Sequence, residues 1–337
     1  MKPYIVALCA FCFVLNAHSQ ANIEDLLAAG IEDAKRFSTD YFNPATEGVA
    51  YAINNGWFNS AEHLKGFSVE LSLIGNVSFI PDQKKSFLMV TSDYENIRFE
   101  DDSSTKQVAT ALGHNDPDIT IIITYDDPIF GNQEVALTLP TGIGSENIDL
   151  IPTTFIQANV SLVKGTQIKG RYFPKIKSSD AEIGLYGFGI QQEFTTWLSD
   201  RSNWPVAISG LIAYTHLDGS YDFTESSTVE GENQRVETDV NTYLFELVAS
   251  TKLNIINFYG GIGYISGKTT SDLLGTYRVT DGITFSEDIV DPFSIKQDIS
   301  GIRATVGAHL TLGIFGLNAD YTFAEFNSAS LGINFSL

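Results

Sequence analysis

Thiols are nearly absent from this chain. Of its 337 residues two are cysteine, Cys9 and Cys12, and both fall in the first apolar run. With that run removed, disulfides and cysteine-ligated metal sites are excluded. Positive charge is also scarce: 20 Lys+Arg stand against 41 Asp+Glu, a net charge of -21. That balance argues against nucleic acid or anionic headgroups as partners. Charged residues of both signs make up only 18% of the chain, below the usual quarter or so. Beyond Leu15 no stretch approaches the ~18 consecutive apolar residues of a membrane-spanning helix. The short motifs of common chemistry are missing as well: there is no HExxH, no Walker loop, no GxSxG elbow and no strong dinucleotide fingerprint. No catalytic residue, metal or cofactor is expected.

What is present begins with Lys2, the apolar run "YIVALCAFCFVL" from Tyr4 to Leu15, and small residues at Ala17 and Ser19. This is the pattern of a secretory signal peptide cut before Gln20. Residues 1–19 are therefore read as leader, 20–64 as an N-terminal helix and plug-like segment, and 65–337 as the main domain. In "NIEDLLAAGIEDAKRF", Ile23, Leu26, Leu27, Ile31 and Ala34 make a helical stripe, with Asn22 as N-cap. The following "STDYFNPATEGVAYAINNGWFNSAEHLK" reads as irregular.

Everything beyond Gly66 reads mainly as strand and turn. In "SGIRATVGAHLTL", Ile302, Ala304, Val306, Ala308 and Leu310 share one face, opposite Arg303, Thr305, Gly307 and His309. The last residues, "LGINFSL", alternate in the same way to the final carboxylate. A sandwich would alternate too, so connection lengths decide. Short links such as "LVKGT" and "LGIFG" alternate with long polar ones at 218–239 and 270–297, the outer-membrane pattern. The fold class expected is all-β, an antiparallel transmembrane β-barrel of 10–14 strands with a short N-terminal helical or irregular plug. Ten strands are read at 67–80, 151–164, 166–174, 181–196, 204–218, 238–254, 256–269, 297–312, 314–325 and 328–337. Shorter candidates within 81–150 complete a favoured twelve. Both termini are then expected in the periplasm, with the plug at the periplasmic opening.

Two segments carry a family likeness. "YFNPATEGVAYAINNGWFNSAEHLKGF" with "NVSFIPD", and "LPTGIG" with "IPTTFIQANVSLVKGTQIKGRYFP", resemble an uncharacterised family of outer-membrane barrels common in Bacteroidota. A more distant similarity is to long-chain fatty-acid transporters, whose N-terminal plug contains an Asn-Pro-Ala motif, matched here by Asn43, Pro44 and Ala45. The resemblance implies passive transport of a small, hydrophobic solute gated by a plug, to which Trp57 and Phe58 also belong. No ligand-contact pattern is carried over.

The alternation predicts a polar lumen lined by Glu70, Lys169, Arg171, Glu246, Lys252, Arg303, His309 and Asp320. Such a set either cross-links a filled interior or lines a conduction path. Histidine facing the lumen argues against a lipid-face Ser–His hydrolase. The acidic clusters "FEDDSS", "HNDPD" and "YDDP" read as solvated loops, with divalent-cation capture as the alternative. The expected partners are outer-membrane lipid, the barrel-assembly machinery through strand 328–337, and a small hydrophobic solute. The competing reading is a closed structural or interaction barrel with acidic extracellular loops.

Overall fold

The structure, a computed structural model, describes residues 23–63, 67–127, 131–162, 165–178, 180–197, 204–224, 227, 230–281 and 285–337. The leader and Asn22 lie outside the described residues.

β1 (Ser68–Phe79) is followed by five short strands: β2 (Ser86–Val90), β3 (Ile97–Phe99), β4 (Thr105–Ala109), β5 (Thr120–Asp127) and β6 (Gly131–Thr138). The long strands then come in order as β7 (Leu150–Ser161), β8 (Thr166–Ser178), β9 (Ala181–Glu193), β10 (Val206–Asp222), β11 (Gly231–Thr251) and β12 (Ile256–Asp281). A short β13 (Phe285–Val290) precedes β14 (Phe293–Leu312), β15 (Phe315–Phe323) and β16 (Ser328–Ser336). β1 pairs with both β7 and β16, and β11 pairs with β12, so ten antiparallel strands close into a barrel. β13 is an extra strand on the far end of β12. The terminal alternation has its explanation here: β16 is paired along both edges, to β1 and to β15, so no edge is left open.

The favoured count of twelve is corrected to ten. Among the described residues, 81–149 add no strand to the barrel; β2–β4 and β3–β5–β6 form two small sheets of their own. Their alternating segments bury Met89, Phe99, Val108, Ile121 and Ile123 in a core shared with the N-terminal helices and the far ends of β12 and β14. Alternation reports a half-buried strand without saying which sheet it joins. These residues form a cap at one end of the barrel, the cap end. At the opposite, turn end lie the short turns after β7, β11 and β14, together with Leu337.

The barrel's outer surface is apolar over a band. Exposed apolar positions on β11 and its following turn run from Tyr243 to Leu253. At about 3.3 Å per residue and a tilt near 40°, this is roughly 25 Å tall, the height of an outer-membrane barrel's lipid-facing band. Rings of Tyr186, Tyr214 and Tyr243 sit side by side on its upper margin, with centroids 6.5 and 5.2 Å apart. Phe194 with Trp197, and Phe315 with Phe335, mark the lower margin at 5.4 Å each. No helix among the described residues is long and apolar enough to cross a membrane.

The wall is uneven in height. β11 and β12 have 21 and 26 residues, whereas β15 and β16 have 9 each. The long polar links expected at 218–239 and 270–297 are therefore mostly strand. Above the apolar band both faces of a strand change character. Arg235, Glu237 and Asp239 are partly or fully exposed, while Val240, Leu273, Tyr277, Phe293 and Ile295 are buried. Water on the outer face hides the strand signal that lipid gives lower down.

The N-terminal segment also departs from expectation. A 3-10 helix (Ile23–Ala29) turns at Gly30, whose φ of 100 suits glycine. Helix α1 (Ile31–Ala52) then runs on through Asn43, Pro44 and Ala45, which had read as irregular. Leu26, Leu27 and Ala34 are buried, but Ile31 is exposed. Pro44 lacks an amide N–H and disfavours a helix interior. Burial of Phe37 and Tyr41 before it and Ala50 and Tyr51 after it holds the helix across that position.

Candidate functional site: the plugged lumen

The N-terminal segment traverses the barrel. At the cap end, Leu26, Leu27, Phe37 and Tyr41 share one apolar core with Phe99, Ile121, Leu273 and Tyr277. Tyr41 donates its hydroxyl to the Thr141 carbonyl, and the Ala111 amide donates to the Tyr41 carbonyl, at 3.0 and 2.9 Å. The Asp33 carboxylate accepts the Glu95 amide at 3.1 Å and the Asn96 amide at 2.9 Å. At the turn end, the Ala61 amide donates to Ser250 Oγ at 3.0 Å, Gln191 donates to the Ser60 carbonyl at 2.8 Å, and His63 Nδ1 lies 2.7 Å from Glu193. Asn43, Pro44 and Ala45 thus stand half-buried at the cap end, not at the turn-end mouth where the plug was expected. Ile23–Ala29 and Leu337 lie at opposite ends of the barrel.

Between these ends α1 stops inside the lumen, and its last carbonyls need donors. The barrel wall supplies them. Arg171 on β8 donates from Nη1 to the Ile53 carbonyl at 2.6 Å and from Nη2 to the Asn55 carbonyl at 3.0 Å. Arg303 on β14 donates to the Asn54 carbonyl at 3.2 Å and to Asn55 Oδ1 at 2.9 Å. Two cations at a helix C-terminus also suit the partial negative charge there. Arg303 Nε lies 2.9 Å from Glu246 Oε1, an ion-pair distance although the N–H is not aimed along it. Arg171 is held differently. Its guanidinium lies 3.9 Å from the Trp57 ring and 3.9 Å from the Phe155 ring, and Gln157 accepts a further bond at 2.9 Å.

Trp57 and Phe58 are buried within the barrel. A Cβ at Gly187 or Gly189 would lie 3.1 Å from the Trp57 ring, and one at Gly261 would lie 2.8 Å from Phe58. The glycine-rich stretches "GLYGFGIQ" and "YGGIGY" are thus the seats of the two plug aromatics. The Trp57 indole N–H has no hydrogen-bond partner among the described residues.

The remaining lumen residues sort as follows. Glu70 accepts from Asn59 of the plug at 3.1 Å and from Asn159 at 2.9 Å. Asp320 accepts the Tyr259 hydroxyl at 2.9 Å. Lys169 is buried in the interior, and His309 faces it half-buried. Lys252 lies outside the lumen. β11 ends at Thr251, and Lys252 falls in the turn before β12. The acidic cluster at 100–102 is engaged locally: Asp102 pairs with Arg98 at 3.1 Å and Asp101 with Lys106 at 2.8 Å. Lys106 and Ser103 hold the Asp101 carboxyl down at about 2.

The wall has one notch. β15 pairs with β14 only from Ala304 to Leu312, so β14 above Ala304 has no partner strand on that side among the described residues. A groove of about 960 Å³ lies there. Its walls are lipid-facing Phe245, Leu247, Ile262, Tyr264, Ile302 and Phe323, and its floor includes Tyr51 and Glu47 of α1 with Arg303. A Cβ at Gly301 would collide with the Tyr51 hydroxyl, so glycine is what lets the plug fill the notch. Beside it Lys84 joins Glu47 at 2.6 Å and Glu325 at 3.3 Å, tying plug, cap and the β15–β16 turn together. Burial pulls the Lys84 amine down, but the two carboxylates outweigh it and raise it above its ordinary value.

Solved structures show slight likeness. Ail, the attachment invasion locus protein of Yersinia pestis, is 10% identical with a TM-score of 0.28, over 81% of this chain and 99% of that one. The translocator domain of the autotransporter NalP from Neisseria meningitidis is 13% identical with a TM-score of 0.25, over 94% and 99%. OmpF of Salmonella typhi, solved with daunomycin, is 10% identical with a TM-score of 0.16, over 80% and 97%. Overlaps this small add nothing to the strand register, which by itself gives an outer-membrane type of barrel. No curated protein matches. One family profile spans residues 1–337, and the chain belongs to that family of unknown function, DUF6588.

Proposed function

We propose that this protein resides in the outer membrane, exported by residues 1–19, and admits a small hydrophobic solute past its N-terminal plug. The observation that carries the reading is the notch above β15, where an apolar, lipid-facing groove is floored by the plug itself. A solute partitioned into the bilayer reaches Tyr51 without crossing the polar rim. Moving Tyr51 and the Lys84–Glu47–Glu325 tie would join that groove to the lumen. The strand at 328–337 is the segment offered to the barrel-assembly machinery, since its pairing with β1 closes the cylinder.

The second reading is a closed structural barrel, favoured by the two arginines that clamp the end of α1. Transfer of an uncharged fluorescent apolar probe across proteoliposomes separates the two. Under the transport reading the full chain exceeds protein-free vesicles and Tyr51→Ala exceeds the full chain. Equal rates in all three would leave the closed barrel.

A further inference from the structure

The plug runs in an unexpected direction. β1 starts at the turn end, where Val69 and Leu337 exchange backbone hydrogen bonds at 3.2 and 2.8 Å. Going back from β1 towards the N-terminus, the chain touches Glu193 and Ser250 at that end, then Arg171 and Arg303 in mid-lumen. It then passes Gln297, which accepts from Thr46 at 3.0 Å, and reaches the cap. In a barrel of this class the long, water-facing strand extensions project outside the cell and the short turns face the periplasm.

We propose that residues 23–45 stand on the cell surface, having reached it through the protein's own barrel. They form there a single surface domain with residues 82–127 and 131–148. That domain is built from two segments arriving by different routes, one through the lumen and one over the rim between β1 and β7. The joint core includes Leu26, Leu27, Phe37 and Tyr41 from the first segment, and Phe99, Ile121 and Leu139 from the second. Asp33, 4% exposed, is clasped by the amides of Glu95 and Asn96, and Asn96 donates in return to the Ala29 carbonyl at 2.9 Å. The plug therefore cannot be drawn into the periplasm without dismantling the surface domain. It is set from outside the cell.

The test uses the absence of cysteine after position 12, which makes single-cysteine labelling clean in the full chain. Glu32→Cys and Arg36→Cys report the start of α1, both sites being exposed. Asn233→Cys reports the β10–β11 hairpin, and Asn254→Cys the turn after β11; both are also exposed. A membrane-impermeant maleimide applied to intact cells should label positions 32, 36 and 233 alike. Position 254 should label only after permeabilisation. Two reporters on α1 guard against one variant failing to insert. Protection of positions 32 and 36 on intact cells overturns the proposal, whatever the other two do. No solute enters this experiment, so its failure is distinct from failure of the transport reading.

Discussion

The two halves of the N-terminal segment are held by different mixtures of contacts. From Leu26 to Tyr41 the contacts are apolar, and the buried partners are Phe99, Ile121, Leu273, Tyr277 and other hydrophobic side chains. From Ile53 to His63 apolar packing of Ile53, Trp57, Phe58 and Ala61 against inward residues such as Leu211, Leu244 and Val248 is joined by polar contacts from Arg171, Arg303, Gln191, Ser250 and Glu193 to backbone atoms. Apolar burial is lost in full when the surfaces separate, whereas a backbone carbonyl released from an arginine can bond to water if water enters. The unpaired indole N–H of Trp57 lies in the polar half. The mid-lumen half thus leans on arginine-to-carbonyl bonds that entering water can replace, beside its apolar packing.

The comparison breaks first at Phe37, fully buried in the apolar half. Phe37→Ala should cost the surface domain about 3–5 kcal/mol. Limited proteolysis of the cap should speed up sharply while the barrel keeps its heat-modifiable migration on gels. Loss of the barrel at the same denaturant concentration would show that the two halves are one cooperative unit.

The barrel wall offers a second, intermediate test. Val306 is 55% exposed on the lipid face, and Thr305 is buried on the lumen face. Val306→Arg should cost about 2–4 kcal/mol if it lies near the bilayer midplane. Thr305→Arg, one position away, should leave insertion intact and instead crowd the plug. Folding yields into lipid vesicles measure the first effect, and equal yields would place the band elsewhere.

The smallest effect on stability is expected in the polar half. Arg171→Met removes the donors of the Ile53 and Asn55 carbonyls, at roughly 1–3 kcal/mol for a buried acceptor left unpaired. Water entering the lumen would reduce that cost. Planar-bilayer recordings should then show noisier or higher conductance, with the cap as protease-resistant as before. A quiet, unchanged bilayer record would mean that the clamp is not what keeps the lumen shut.

Legibility in the sequence followed the solvent on each face. Where a strand has lipid outside and polar atoms inside, period-two contrast is strong, and β1, β7, β15 and β16 were readable almost to their ends. Above the band, β11 and β12 have water outside and the cap inside, so Glu232 to Asp239 and the stretch after Thr270 looked like loop. The lumen residues Glu70, Arg171, Glu246, Arg303 and Asp320 were found by parity alone. Lys252 obeys the same parity and was included wrongly, because parity does not say where a strand stops. The plug helix reads from sequence as ending at Phe37, yet it continues to Ala52 through Pro44, whose local preference is outweighed by burial on both sides of the proline.

By itself the sequence determined the class of fold, which strand faces meet lipid and which residues point inward, because these depend on alternation between neighbours in the chain. Tertiary structure decided what no local pattern carries. It set the number of strands that close, since β2 to β6 alternate as well as barrel strands do yet pair only among themselves. It set the direction of the plug, because nothing within residues 23–63 says which end of the cylinder it meets first. It chose glycine's partners too: Trp57 rests on Gly187 and Gly189 only because the closed barrel brings β9 within reach of a residue more than a hundred positions earlier.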